Sequence, residues 1–219
     1  MMNIADALDL HAHARPDHPA LVEGEAVLDH HGLADRVRRM AAHLRRLGAR
    51  PHDVVGVCLT DRTEHVVALF ALARARLVIL PMDARWSEPE KQRVVDHFRP
   101  TIVLQEPGAP PLDRVREVRC DDEWARAVEG TQPEEGERGG SETPLVLSLS
   151  SGTTGRPKGP IISHGQFFRR FMTHWINLGL GGRDCFVSAT PLYFGGGRTF
   201  ALSKTCGKVC FMMRRFSST

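Results

Sequence analysis

Leu145-Val146-Leu147-Ser148-Leu149-Ser150-Ser151-Gly152-Thr153-Thr154-Gly155-Arg156-Pro157-Lys158-Gly159 is an apolar run that breaks into a loop of glycines and hydroxyls. Pro144 opens the run, and Leu145 to Leu149 reads as a buried strand. Beyond it, Gly152, Gly155 and Gly159 allow the backbone to approach a ligand with no Cβ in the way. Ser150, Ser151, Thr153 and Thr154 offer hydroxyl donors to oxyanions, and Lys158 adds a mobile positive charge. Successive backbone N–H groups in such a turn form an anion-binding concavity, so a polyphosphate is the natural ligand. The spacing is not that of a Walker loop, because G-x-x-x-x-G-K-[ST] would need glycine where Pro157 stands. Composition by itself fits a Ser/Gly/Thr-rich turn as well as a phosphate loop.

The order of residues separates the two. Ser-Ser-Gly-Thr-Thr-Gly-Arg-Pro-Lys-Gly after an apolar strand closely resembles the phosphate-binding signature of the adenylate-forming (AMP-binding) superfamily of acyl-CoA synthetases, peptide-synthetase adenylation domains and luciferases. The resemblance implies that Ser150, Ser151, Gly152, Thr153, Thr154, Gly155, Lys158 and Gly159 bind ATP through its β- and γ-phosphates. It also implies Mg²⁺, a carboxylic acid substrate and, for the acyl-CoA synthetase type, CoA as acceptor. Leu72 to Asp83 is similar to the family's helix-to-strand segment ending in proline and aspartate, although Ala75-Arg76 replaces the usual alanine–glycine pair. Ile161-Ile162-Ser163-His164 is similar to the family's continuation after the loop. Ala189 to Gly197 resembles the next family segment, which implies that Tyr193, Phe194 and Gly195 bind the acyl substrate. Phe194 stands where histidine is common, and the plain alternative for Tyr193 and Phe194 is core packing.

Working outward, the chain alternates helices and strands. Helices are expected at Ile4 to Ala14, Leu33 to Leu47, Thr63 to Ala75, Glu88 to Phe98 and Asp122 to Val128. Buried strands are expected at Val54 to Leu59, Leu77 to Leu80, Thr101 to Leu104 and, briefly, Val115 to Val118. Alternation at this spacing makes a parallel sheet with right-handed crossovers. The expected fold is therefore α/β, doubly wound, with mostly parallel sheet layers, and incomplete at the C-terminus when set against the family's N-terminal domain. The expected organisation is a first lobe over 1–128, an acidic exposed linker over 129–143 and the start of a second lobe over 144–219. Glu129 to Glu142 carries five glutamates and no large apolar residue, so it has little to bury against its ordering entropy.

Several family parts have no counterpart in these residues. Neither the aromatic-Gly-x-Thr-Glu segment, which the resemblance implies would contact adenine and Mg²⁺, nor the ribose-binding aspartate is found. The catalytic residues are thus unknown, no metal ligand is assigned, and the Mg²⁺ ligands are expected outside this chain. Ser203 to Val209 superficially resembles the family's C-terminal catalytic-lysine stretch; the competing reading is a helix-to-strand step with Lys208 opening a strand Val209 to Met213. The expectation is a fragment of a carboxylate-activating ligase, inactive alone, which pairs with a chain supplying the missing part. A non-catalytic nucleotide-binding remnant and a piece of a peptide-synthetase adenylation domain are the alternatives.

Composition sets the outer bounds. Apolar residues make up 42% and charged residues 25% of 219, with a formal charge of +3, ordinary values that give no argument for nucleic acid or a membrane surface. Arg36, Arg38, Arg39, Arg45 and Arg46 fall within one helix and read as a solvated face. The five cysteines lack paired zinc-like spacing, which favours free thiols in a reducing compartment. The N-terminus has no apolar signal core, and no run reaches the roughly 20 apolar residues of a membrane span. The cytoplasm is the expected location.

Overall fold

The computed structural model describes residues 3–133, 136–149, 159–179, 185–205 and 210–213. Seven helices and ten strands lie among them. In chain order they are α1 (Asp6–Ala14), β1 (Pro19–Glu23), β2 (Ala26–Asp29), α2 (His30–Arg46), β3 (Val54–Cys58), α3 (Thr63–Arg74), β4 (Val78–Pro81), α4 (Glu88–Phe98) and β5 (Ile102–Gln105). There follow β6 (Arg116–Arg119), α5 (Asp122–Glu129), β7 (Pro144–Leu147), β8 (Ile161–Ser163), α6 (His164–Asn177), β9 (Cys185–Ser188), α7 (Gly195–Thr205) and β10 (Cys210–Met213).

A six-stranded sheet runs β6-β5-β3-β4-β7-β8. Its first five strands are parallel, and β8 returns antiparallel beside β7. The central strands β3, β4 and β5 are apolar throughout apart from Gln105, as expected for strands covered on both faces. Chain order departs from β3 in both directions, which is the doubly wound arrangement. A second sheet runs β2-β1-β10-β9, with β1, β10 and β9 parallel and β2 antiparallel.

Helix α3 shows why two sheets form. Every residue from His65 to Arg74 is buried, and a helix apolar nearly all round must be covered on all sides. It packs on α2, β3, β4, β1 and α7. Phe70, Leu69 and Leu72 are fully buried there, and Leu145, Phe167, Leu192 and Leu202 join the same core cluster. By contrast α2 is amphipathic, with Leu33, Val37, Met40, Ala41 and Leu44 inward. Its arginines are not merely solvated. Arg39 pairs with Asp35 at 2.6 Å and also donates to the backbone carbonyls of Glu129 and Thr131.

The segment 129–143 differs from a free linker. Thr131 is buried, and its hydroxyl meets His43 Nδ1 at 2.9 Å. Glu137 pairs with Arg76 at 2.6 Å, and Arg138 reaches Asp6 and Asp9, both at 3.2 Å. The stretch is thus anchored by Arg39 of α2, by Arg76 in the turn after α3 and by the acids of α1. Both sheets also draw strands from both sides of it. β7 and β8 extend the first sheet, whereas β9 and β10 join β1 and β2. The segment 129–143, expected as a linker, thus lies in the chain between strands that share sheets.

Arg76 occupies the left-handed region, with φ of 63°. This explains why glycine is the natural residue for the turn between α3 and β4, since a Cβ is strained there. The strand expected at Leu77 to Leu80 and the helices expected at Thr63 to Ala75 and Glu88 to Phe98 form within a residue of those bounds. The hairpin β1–β2 was not anticipated.

Candidate site at the carboxyl ends of the strands

Strands β7 and β8 fix the base of the glycine-rich loop. Leu147 lies opposite Ile161, and Ser148 N–H donates to Pro160 O at 3.0 Å. A Cβ placed on Gly159 would sit 3.4 Å from Leu149 Cδ2 and from Ser148 O, so the exit of the loop lies close against its entry. Gly159 is described; Ser150, Ser151, Gly152, Thr153, Thr154, Gly155 and Lys158 lie outside the described residues. The loop leaves the carboxyl end of β7, which is parallel to β4. Ligands of open α/β sheets bind at that end.

The neighbouring strand β4 leads into Met82-Asp83-Ala84-Arg85-Trp86. Ala84 and Trp86 pack in one apolar cluster with Leu147 and Leu149, next to the loop base. Asp83 is buried, and Arg85 grips its carboxylate as a fork, Nε to Oδ1 and Nη2 to Oδ2, each at 3.0 Å. Burial would push the Asp83 carboxyl up, but the hydrogen bonds and charge of Arg85 outweigh it and hold the group below the usual range.

Arg85 also links this turn to the segment that follows β9. Its Nη2 donates to Tyr193 Oη at 3.2 Å, its guanidinium lies 5.5 Å from the Tyr193 ring centroid, and Trp86 meets that ring edge-on at 6.3 Å. Asp61, just beyond β3, accepts from Leu192 N–H at 2.8 Å, and burial raises its carboxyl. Arg198, buried in α7, donates through Nη1 to Leu192 O at 3.3 Å and Tyr193 O at 2.7 Å. Burial, reinforced by the charge of Arg170, pushes its guanidinium down to about 10. Leu192 is the core residue of the segment, Tyr193 is half-buried, and Phe194 stays 59% exposed. Neither aromatic is among the buried core residues.

Two buried histidines support this region from beneath. His65, at the start of α3, has Nδ1 3.3 Å from Thr60 O while Nε2 has no partner. His164, which opens α6, accepts from Ile4 N–H at 3.2 Å and so ties the N-terminus to the exit of the loop; its Nε2 is likewise unpartnered. Burial pushes both imidazoles down to about 4. Among the described residues, no group of three or more His, Cys, Asp or Glu is placed to hold a metal ion.

The structure thus brings the loop base and Tyr193, Phe194 and Gly195 to one end of the strands. Asp61, Arg85, Trp86 and Arg198 complete the arrangement. Of the charged residues that hold the Tyr193 segment, only Asp83 lay in a stretch singled out from sequence; Arg198 sits 115 residues from Asp83 and gave no local signal.

A doubly wound sheet whose glycine-rich loop leaves a parallel strand is the architecture of the AMP-binding enzymes. The family described as AMP-binding enzyme matches residues 8–218, and the chain belongs to it. Among curated relatives, the indoleacetate–CoA ligase of Aromatoleum aromaticum is 26% identical over 215 residues, covering 90% of this chain and 42% of the ligase. The phosphinothricin tripeptide synthetase PhsC of Streptomyces viridochromogenes is 30% identical over 158 residues, covering 70% of this chain and 14% of the synthetase. Among solved structures, the N-terminal domain of FACL13 from Mycobacterium tuberculosis superposes with a TM-score of 0.88 at 21% identity, over 99% of this chain and 58% of that one. The o-succinylbenzoate CoA synthetase MenE of Bacillus subtilis, solved with an acyl-adenylate intermediate, gives 0.87 at 21% identity, over 97% of this chain and 56% of that one. The chain spans less than half the length of that curated CoA ligase.

Proposed function

We propose that this chain forms the phosphate-gripping part of an ATP-dependent carboxylate-activating ligase of the acyl-CoA synthetase type. In the parent reaction a carboxylate oxygen attacks the α-phosphorus of ATP, pyrophosphate leaves, and the acyl-adenylate then passes its acyl group to the thiol of CoA. The observation that carries this reading is the loop base. β7 runs parallel to β4, and Leu147 and Leu149 before the loop pack in one cluster with Ala84 and Trp86 of the turn that contacts Tyr193. Ser150, Ser151, Thr153, Thr154 and Lys158 would hold the β- and γ-phosphates and orient the leaving pyrophosphate, with Gly152, Gly155 and Gly159 giving the backbone access; this is an electrostatic and positioning role. Bound Mg²⁺ would neutralise phosphate charge; its ligands are expected from the parts of the family that this chain does not carry.

The match to a peptide synthetase at 30% identity favours the second reading, an adenylation domain that loads a carrier thiol. Along α6, Phe168, Met172 and Ile176 recur every four residues and are 40%, 37% and 70% exposed. That apolar stripe supports pairing with further polypeptide, whether a continuation or a partner chain. A reducing cytoplasm suits the free thiols of Cys58 and Cys120, and no helix among the described residues is long and apolar enough to cross a membrane.

Binding of a fluorescent ATP analogue to the 219-residue chain tests the assignment. Lys158→Ala removes the positive charge that would face the polyphosphate, and each charged hydrogen bond lost is worth about 1.5–3 kcal/mol. Affinity should therefore fall by at least about tenfold. Gly152→Val should abolish binding with circular dichroism unchanged. Carboxylate-dependent pyrophosphate exchange by the chain alone should stay at background. Unaltered nucleotide affinity in both variants would remove the phosphate assignment, and robust exchange would overturn the expected inactivity.

A further inference from the structure

The Leu192–Phe194 segment is held from three directions that belong to different parts of the fold. Asp61 from the end of β3 takes the Leu192 N–H, Arg198 from α7 takes the Leu192 and Tyr193 carbonyls, and Arg85 from the end of β4 takes the Tyr193 hydroxyl. The first two act on backbone and set the path of the chain. Arg85 acts on a side chain and sets which way the Tyr193 ring turns. Its geometry is preset, because the guanidinium is already locked in a planar fork on the buried Asp83 carboxylate. With Trp86 against one edge of the Tyr193 ring, that ring is confined toward the β4 turn, and Phe194 is the aromatic of the segment left largely exposed.

We propose that Arg85, oriented by Asp83, is a positioning residue for the acyl substrate: it fixes Tyr193 so that Phe194 is presented to the acid. This inference rests on the acyl-pocket reading of Tyr193, Phe194 and Gly195. The Arg85 side chain is 69% exposed against 10% for Asp83, so the pair stands between a surface and a buried ion pair in its contribution to stability. What a forked, charge-assisted contact supplies at such a site is direction.

Tyr193 is the only tyrosine in the chain, so a sample labelled with 3-fluorotyrosine gives one fluorine resonance. In the wild-type chain that line should be sharp and displaced from its position in denatured protein. Arg85→Ala should move it toward the denatured position, Asp83→Asn should move it in the same direction by freeing the fork, and Arg85→Lys should recover only part of the displacement. Circular dichroism of all three should match wild type, with Arg85→Lys as the reporter if either of the others fails to fold. With ATP present, the apparent dissociation constant for the probe acids indole-3-acetate and decanoate should rise about tenfold in Arg85→Ala, while that of the fluorescent ATP analogue changes by less than about twofold.

A fluorine line unmoved by Arg85→Ala and Asp83→Asn overturns the inference. So does a line that moves while acid affinity stays at the wild-type value, which would make the fork an ordinary rim contact. If the wild-type chain binds the ATP analogue but neither acid shifts the line or binds, the acyl-pocket reading is what fails. That result is distinguishable because the response of the line to Arg85→Ala would persist.

Discussion

Acid should unfold this protein earlier than its carboxylates require, and the cause is its buried histidines, His65 and His164 above all and His30 beside them. His65 and His164 are both 0% exposed, and each leaves Nε2 without an acceptor. Their pKa values fall from 6.5 to about 4 because the charged form is desolvated. A depressed folded pKa means that the unfolded chain takes up the proton first. Stability contributed by the neutral imidazoles is therefore complete above pH 6.5, declines as pH falls, and is fully lost below pH 4. At pH 5 the unfolded imidazole is nearly all protonated and the folded one nearly all neutral, a loss of about 2 kcal/mol per histidine at 1.36 kcal/mol per unit. Two such groups would remove about 4 kcal/mol, a large part of a stability of roughly 5–15 kcal/mol. Urea unfolding at pH 7, 6 and 5 measures this, and stopping at pH 5 keeps ordinary carboxylates largely ionised. His65→Asn/His164→Asn retains a donor near Thr60 O and an acceptor near Ile4 N–H while deleting both titrations, so it should flatten about two thirds of the slope, the rest coming from buried His30, whose imidazole is also lowered to about 4. A wild-type unfolding free energy constant from pH 7 to 5 would refute the reasoning, as would histidine proton resonances of these residues titrating near 6.5.

Asp9→Asn should destabilise the chain by about 2 kcal/mol in urea, between the values for surface and buried pairs. Its partner Arg74 is only 6% exposed on the side chain and 2.8 Å away; Arg38→Ala, whose contact with Asp9 is 3.6 Å, should cost under about 0.5 kcal/mol. Gly197→Ala would place a Cβ 2.3 Å from Thr190 O and Pro191 O. It should cost about 1–3 kcal/mol as an overpacked site and shift the Tyr193 fluorine line by displacing the segment itself; an unchanged melting temperature would show that α7 accommodates the methyl.

Much of the first sheet was legible because its signals are local. Val54 to Cys58, Val78 to Pro81 and Ile102 to Gln105 are short apolar strands separated by helices with their own stop signals, such as Arg99-Pro100 after α4. The loop was legible for a similar reason, since its glycines, hydroxyls and lysine are contiguous and their order carries the family resemblance. The step from α7 to β10 was also legible, from the apolar run that ends at Met213.

Tertiary structure alone decided the rest. β1 and β2 form a short hairpin around Glu23-Gly24-Glu25, and nothing within it announces a strand strongly. Its parallel partner β10 lies almost two hundred residues later, with Leu21 opposite Phe211, and such pairing leaves no periodicity to read. The acidic stretch 129–143 has the composition of a free linker, yet distant cations, Arg76 among them, anchor it. The glycine-to-arginine exchange at Arg76 reads as a simple departure in sequence, and only its φ of 63° shows what the glycine was for. The rim that holds Tyr193 draws Asp61 and Arg85 from beyond two strands of one sheet and Arg198 from helix α7. Composition and order determined which chemistry this chain carries; long-range pairing around α3 determined which side chains stand next to it.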